Sequence, residues 1–171
     1  RAVVYVRWPA PEGDLAQTKL AYVREVDGDQ EVFVSDADGS NVARLTHHSG
    51  ADSTPDWSPD GRRIAYVSDY DASQRLMVMN ADGTGATPLT TLRAHPLDDG
   101  GHPDWSPDGS RIAFADTHTD SPGMGVYTIS VDDRQLALLV EDASVPSWSP
   151  DGSQVAFARG TGVGVAGSNT G

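Results

Sequence analysis

The chain contains no cysteine. Disulfides, thiolate metal sites and cysteine nucleophiles are thereby excluded, while the compartment stays open, because exported proteins can also lack Cys. No stretch approaches the roughly 18 to 20 apolar residues that a bilayer-spanning helix needs. Basic residues are scarce: 12 Lys and Arg stand against 25 Asp and Glu, a formal net charge of −13. Such a surface has nothing with which to release counterions from a phosphate backbone, so the partners expected exclude nucleic acid. A cationic partner fits the charge better. Apolar residues make up only 37% of the 171 positions, low for a compact globule but above the range of disorder. No signal peptide is visible, and the first residue is Arg1 rather than Met, which leads us to expect a processed or excised piece.

What the chain has in plenty is glycine and proline, 18 and 11 residues. Both suit many short strands joined by tight turns. Internal repeats then set the architecture. Pro55-Asp56-Trp57-Ser58-Pro59-Asp60-Gly61 recurs identically as Pro103-Asp104-Trp105-Ser106-Pro107-Asp108-Gly109. With one change it recurs as Pro146-Ser147-Trp148-Ser149-Pro150-Asp151-Gly152. Each copy is followed by an apolar-Ala-aromatic step: Ile64-Ala65-Tyr66, Ile112-Ala113-Phe114 and Val155-Ala156-Phe157. A fourth such step, Leu20-Ala21-Tyr22, is preceded by Trp8 with an insertion of five residues. All four tryptophans, Trp8, Trp57, Trp105 and Trp148, thus occupy one position of a repeat and mark four first strands.

Each unit divides into four β-like segments. In the second, a strand around Pro55 to Ser58 turns at Pro59-Asp60-Gly61, where Pro presets φ and Gly supplies the positive φ. A strand over Arg63 to Ser68 follows, then Arg75 to Met79. Asn80-Ala81-Asp82-Gly83-Thr84-Gly85 turns into a fourth strand, with Asp-Gly as the hairpin signal. No helical periodicity competes. Units of 43 to 49 residues with four strands each are what radial blades require, and one blade alone cannot bury both its faces. The fold expected is therefore all-β: a β-propeller of four-stranded antiparallel blades, three complete and a fourth partial. The blades fall at about 1–46, 54–92, 102–140 and 145–171, within a single domain.

The Trp-Ser-Pro-Asp-Gly turn, the Ile-Ala-Tyr step and the Asn-Ala-Asp-Gly-Thr-Gly turn resemble the WD-like repeat of TolB-type propellers. That repeat also builds the propellers of prolyl-oligopeptidase-type enzymes and of many bacterial sensor and surface proteins. The likeness covers nearly the whole chain and is weakest before Leu20 and after Arg159. It implies a scaffold, a protein partner in the bacterial cell envelope bound at the channel mouth, and a periplasmic or extracellular location. The repeat positions Trp8, Trp57, Trp105, Trp148, Asp60, Gly61, Asp108, Gly109, Asp151 and Gly152 are structural on this reading, and function must be sought elsewhere.

Three motifs have plainer explanations. Asp36-Ala37-Asp38-Gly39-Ser40-Asn41 and Asp27-Gly28-Asp29 begin like a calcium loop. Asp38-Gly39 is matched by Asp82-Gly83 in the next unit, however, so a hairpin turn explains both; no cofactor is expected, with calcium the minor alternative. Gly162-Val163-Gly164-Val165-Ala166-Gly167 matches the dinucleotide fingerprint in form, but that fingerprint works only between a strand and a helix. We read it as a third strand. No Gly-x-Ser-x-Gly elbow or helical zinc spacing is present, so neither catalytic residues nor metal ligands are assigned.

The irregular segments are more informative. Loops alternate between the two faces of a propeller: the Pro-Asp-Gly and Ala-Asp-Gly turns share one face, and the inter-blade links lie on the other. Four of the five histidines, His47, His48, His95 and His102, fall in those links, and His118 sits in a loop of the same face. Variable polar loops on a rigid scaffold are where binding resides. The candidate binding residues are His47, His48, Asp52, Asp98, Asp99 and His102. The function expected is a non-catalytic scaffold for protein, peptide or glycan binding. The alternative is the propeller portion of an oligopeptidase-type hydrolase or of a lyase with a metal on channel histidines. An open arc would expose apolar flanks and strand edges, so we expect a fragment of a longer propeller or a homodimer completing a ring. Light scattering on the purified chain tests this: a stable, protease-resistant monomer is the result that counts against both.

Overall fold

The computed structural model describes residues 3–5, 19–69, 74–90, 101–117 and 124–168. All regular structure among them is β, in four antiparallel sheets whose strands follow chain order. The first sheet comprises β1 (Val3–Tyr5), β2 (Lys19–Val26), β3 (Asp29–Asp36) and β4 (Ala43–Arg44). The second holds β5 (Asp52–Trp57), β6 (Arg63–Ser68), β7 (Arg75–Asn80) and β8 (Thr87–Pro88). The third is built from β9 (Asp104–Trp105), β10 (Arg111–Thr117), β11 (Met124–Ser130) and β12 (Leu136–Glu141). The last has three strands, β13 (Ser144–Trp148), β14 (Gln154–Arg159) and β15 (Gly162–Gly167). These are the four-stranded blades read from the repeat, with the fourth partial. The Gly-Val-Gly segment is indeed a strand, and a Cβ at Gly164 would run into the Phe157 ring.

Register refines the first blade. Trp57 pairs with Ile64 and Asp56 with Ala65, as Trp105 pairs with Ile112 and Asp104 with Ala113. In the first blade the residue opposite Ala21 is Tyr5, which puts Tyr5 in the place of those aspartates. Trp8 itself lies outside the described residues.

The turns explain why the repeat reads Trp-Ser-Pro-Asp-Gly. Gly61 N donates to Ser58 O at 2.9 Å, and Gly61 takes φ 67°, a conformation that costs glycine little. Ser58 Oγ donates to Asp60 Oδ1 at 2.6 Å and accepts from Arg63 N at 2.9 Å. Asp60 Oδ1 also accepts from Arg62 N at 3.1 Å. The set is repeated by Ser106 with Asp108 and by Ser149 with Asp151, both at 2.6 Å. Serine oxygen and aspartate carboxylate together satisfy the backbone donors that the turn frees from the ladder. The Asp carboxyls are held below their ordinary range by these donors, Asp151 down to about 2.

Between blades the core is continuous. Trp57, Ile64, Tyr66 and Met79 of the second blade pack with Ala21 and Val32 of the first. Trp105, Ile112, Phe114 and Tyr127 of the third pack with Leu76, Val78 and Leu89 of the second. Trp148, Val155 and Phe157 of the fourth pack with Ala113 and Val126. A polar contact fixes the second and third seams. Trp105 N donates to Asp56 Oδ2 at 3.0 Å, and its Nε1 donates to Asp56 O at 3.2 Å. Trp148 N donates to Asp104 Oδ2 at 2.5 Å. Both aspartates are buried, so each carboxylate clamps one blade to the next away from water. In the fourth blade the corresponding residue is the exposed Ser147, opposite Ala156.

Asp56→Ala leaves Trp105 N buried without its acceptor and should cost about 1–3 kcal/mol in urea unfolding. Ser147→Ala, at the same repeat position but exposed, should change the stability of this chain by less than about 0.5 kcal/mol.

Candidate functional site

Where a polypeptide must pass from the outer strand of one blade to the inner strand of the next, it leaves the ladder, and side chains take over. After β4, Thr46 Oγ1 accepts from Val32 N at 2.9 Å and donates to Glu31 Oε2 at 2.5 Å. Arg44 closes the group, donating through Nη2 to Glu31 Oε1 at 2.6 Å and through Nε to Thr46 O at 2.7 Å. Glu31, almost wholly buried, is thereby paired and bonded, the condition under which a buried carboxylate is tolerated. Thr90 repeats one part of this in the second blade, its Oγ1 accepting from Leu76 N at 3.2 Å.

The loop that follows carries His47, which is exposed, and His48, which is half-buried. His48 Nε2 lies 3.5 Å from Asp52 Oδ2, one helical-type step back from the start of β5. Asp52 is fully buried. Burial raises its carboxyl above the ordinary 3.8; the Ser68 and Thr46 hydroxyls and the His48 ring oppose that rise, and the Glu31 charge adds to it. The buried Tyr66 hydroxyl is pushed up too, by desolvation and then by Asp52. Tyr66 OH and Thr54 Oγ1 are buried and unpartnered among the described residues.

The candidates named from the sequence therefore separate. His48 and Asp52 meet where the first blade links to the second, with Asp52 buried, His48 half-buried and His47 exposed. His102 stands one blade on, half-buried, immediately before Pro103. Asp98, Asp99, His95 and His118 lie outside the described residues. The calcium-like loops resolve as turns. Asp36 Oδ2 accepts from Asn41 Nδ2 at 2.6 Å, Asp36 also binds Lys19 Nζ, and Asp38 Oδ1 accepts from Ser40 N at 2.9 Å. Asp27 and Gly28, at φ 55° and 98°, form the two-residue hairpin between β2 and β3. Among the described residues no group of three or more His, Asp or Glu side chains is placed to hold a metal ion.

Thr54, His102 and Val145, each immediately before the repeat's proline, take φ of 49°, 41° and 49°. A left-handed backbone is costly for any residue with a Cβ and most of all for β-branched Thr and Val. At Thr54 and Val145 it coincides with a register shift in the pairing of β5 with β6 and of β13 with β14. At those two positions the bulge takes the residue out of the regular alternation of the inner strand. Repetition of the left-handed residue at one position could have been suspected from X-Pro-Asp/Ser-Trp, but X varies, so no residue type announces it.

Four-stranded blades packed through tryptophan, with turns regular on one face and links irregular on the other, define an arc of a WD-like β-propeller. Residues 12–163 match the family described as the Tricorn protease N-terminal beta propeller domain, and the chain belongs to that family. Its sequence is also similar to the Tol-Pal system protein TolB of Geobacter sulfurreducens, 43% identical over 44 residues, which are 26% of this chain and 10% of that protein. Among solved structures it resembles TolB from Acinetobacter baumannii, with a TM-score of 0.76 at 20% identity, covering 90% of this chain and 40% of that one. It also resembles an oligogalacturonate lyase from Vibrio parahaemolyticus, with a TM-score of 0.66 at 17% identity, covering 92% of this chain and 47% of that one. The chain thus spans less than half of these two structures and a tenth of the curated relative. The fold is that of a TolB-like β-propeller.

Asp52 sets a pH dependence. In the window above 3.8 where the unfolded carboxyl has lost its proton and the folded one has kept it, stability falls as pH rises. Asp52→Asn should remove that slope and be more stable than the parent at neutral pH, as read by urea midpoints measured across pH 3 to 7 (an interval of about four units around the ordinary carboxyl value).

Proposed function

We propose that this chain is a non-catalytic propeller scaffold that binds a protein or peptide partner through its irregular inter-blade face. The observation that carries this is how the repeat's own polar groups are used. Asp56 and Asp104 hold the neighbouring blade, and Asp60, Asp108 and Asp151 hold turns. What remains to meet another molecule is the loop chemistry of His47, His48 and His102 over a rigid base. The likeness to the Tol-Pal system protein TolB supports a protein partner in the bacterial cell envelope and a periplasmic or extracellular location. A net charge of −13 favours a partner face rich in Lys and Arg.

A specific observation also supports an extended or self-completed ring. Val163 and Val165 are 84% and 63% exposed on β15. By register they correspond to Val126 and Thr128, Leu76 and Val78, and Val32 and Val34 in the preceding blades. Val126, Leu76 and Val32 lie in the cores that pack against the following blade. The fourth blade thus presents the face that elsewhere receives a neighbour, whether from a longer chain or from a second copy. The enzymatic alternative, the propeller portion of an oligopeptidase-type hydrolase or of a metal-dependent lyase, rests on likeness of fold alone.

Combined substitution of His47, His48 and His102 by Ala, compared with the parent by cross-linking to envelope proteins, tests the binding face. Loss of the cross-linked species with an unchanged urea midpoint is expected. An unchanged cross-linking pattern, or turnover of oligogalacturonate by the purified chain, overturns the proposal.

A further inference from the structure

The outer strand of each blade turns one side to the rim of the propeller rather than to a neighbour in its sheet, and an open strand edge is a template for further pairing. Two of the outer strands here are blunted. β4 is two residues long and carries the charged Arg44. β8 is also two residues long and includes Pro88, which has no N–H to offer. β12 departs from both. It runs for six residues, Leu136–Glu141, and only the last of them is charged. Among the described residues no strand pairs with its outer side.

Register shows what this edge presents. Leu136 lies opposite Ile129 and Leu138 opposite Tyr127, so both leucines share the face that Ile129 and Tyr127 turn toward the second blade. Ile129 and Tyr127 are buried there, whereas Leu136 and Leu138 stay 36% and 43% exposed. Where β12 places Leu138, the first and second blades place Arg44 and Pro88, opposite Phe33 and Met77. Leu138 crosses Gly125, where a Cβ would come within 2.9 Å of its Cδ1. Leu139 and Val140 pack instead against the core shared with the fourth blade. Leu139 has no register partner between Leu138 and Val140, and this irregularity ends the regular edge at Leu138. The remaining run, 136–138, is still longer than the two-residue ladders that hold β4, β8 and β9 in their own sheets.

We propose that the outer edge of β12 is a docking site for an extended segment of a partner protein, which adds to the third blade as a fifth strand. Strand addition takes its affinity from main-chain hydrogen bonds and its specificity from alternate side chains. Leu136 and Leu138 supply the apolar contacts for alternate residues of the incoming strand. Charge identifies the occupant. Asp132 and Asp133 precede the edge and Glu141 and Asp142 follow it, all four exposed, with Arg134 the one cation in that run. A second copy of the chain would bring the same acidic ends and its own net charge of −13. A segment with apolar residues at alternate positions and Lys or Arg at its ends complements the edge along its whole length. This edge uses none of His47, His48 and His102, so it stands or falls apart from the binding face proposed above.

The test is an NMR titration of the isotope-labelled 171-residue chain with the peptide acetyl-Lys-Val-Ser-Val-Ser-Val-Lys-amide. A saturable shift of the Leu136, Ala137 and Leu138 amides is expected. It should weaken roughly tenfold when Glu replaces both lysines of the peptide, and vanish when every peptide nitrogen between them is methylated. Leu136→Lys combined with Leu138→Lys puts charge on the edge, as Arg44 does in the first blade. The lysine stems cover the surface that the leucines cover, so the urea midpoint should stay near that of the parent while the peptide binds roughly tenfold more weakly or less still. Four outcomes overturn the proposal: no saturable shift in the parent, equal binding of the methylated or the glutamate peptide, undiminished binding by the folded double variant, or a concentration-dependent dimer of the parent that the double variant abolishes.

Discussion

Everything in this molecule depends on the seam between blades, and the second and third seams each depend on one aspartate and one tryptophan. A four-stranded blade is too thin to have an inside. Its buried face exists only when the indole of the next blade covers it, and large aromatic side chains contribute more to such burial than any other. Hydrophobic contact alone would let adjacent blades slide, because it has no preferred direction. The carboxylates of Asp56 and Asp104 remove that freedom by accepting from the backbone of Trp105 and Trp148. A charged acceptor in a buried position makes a strong bond and a severe penalty if misaligned, so the angle between blades is set by chemistry rather than by shape.

The turn face inherits its regularity from this. Once each inner strand is fixed, Pro59 meets Gly109 and Pro107 meets Gly152 at the same distance. The other face inherits irregularity. Chain that links an outer strand to the next inner strand must satisfy its polar groups without a ladder, and each link does so differently. Glu31, Arg44 and Thr46 form a closed buried group at the first link, whereas at the second only the Thr90 bond is repeated. Regular and irregular faces are therefore two outcomes of one constraint.

What the sequence made legible follows the same division. The strands, the turns and the tryptophan packing were readable because they recur, and short-range rules for Pro, Asp and Gly account for them. The Asp56 carboxylate was visible only as part of the motif. Its partner lies 49 residues away in sequence, a separation at which no periodicity reveals a contact. Trp8 was placed by motif likeness, while register put Tyr5 in the aspartate position. On the irregular face, the joining of His48 to Asp52 could be suspected from their common loop. The complete burial of Asp52 could not, since it comes from Tyr66 and Ser68 of a strand reached through a hairpin. The left-handed Thr54, His102 and Val145 escaped because no shared side chain marks them.

The clamp between blades also has a direction in time. At both clamped seams the acceptor carboxylate belongs to the earlier blade and the donor N–H to the later one. A nascent chain emerging from its N-terminus therefore displays each acceptor before its donor has been made. The flank of each blade is therefore in place in the chain before the tryptophan that covers it has been made.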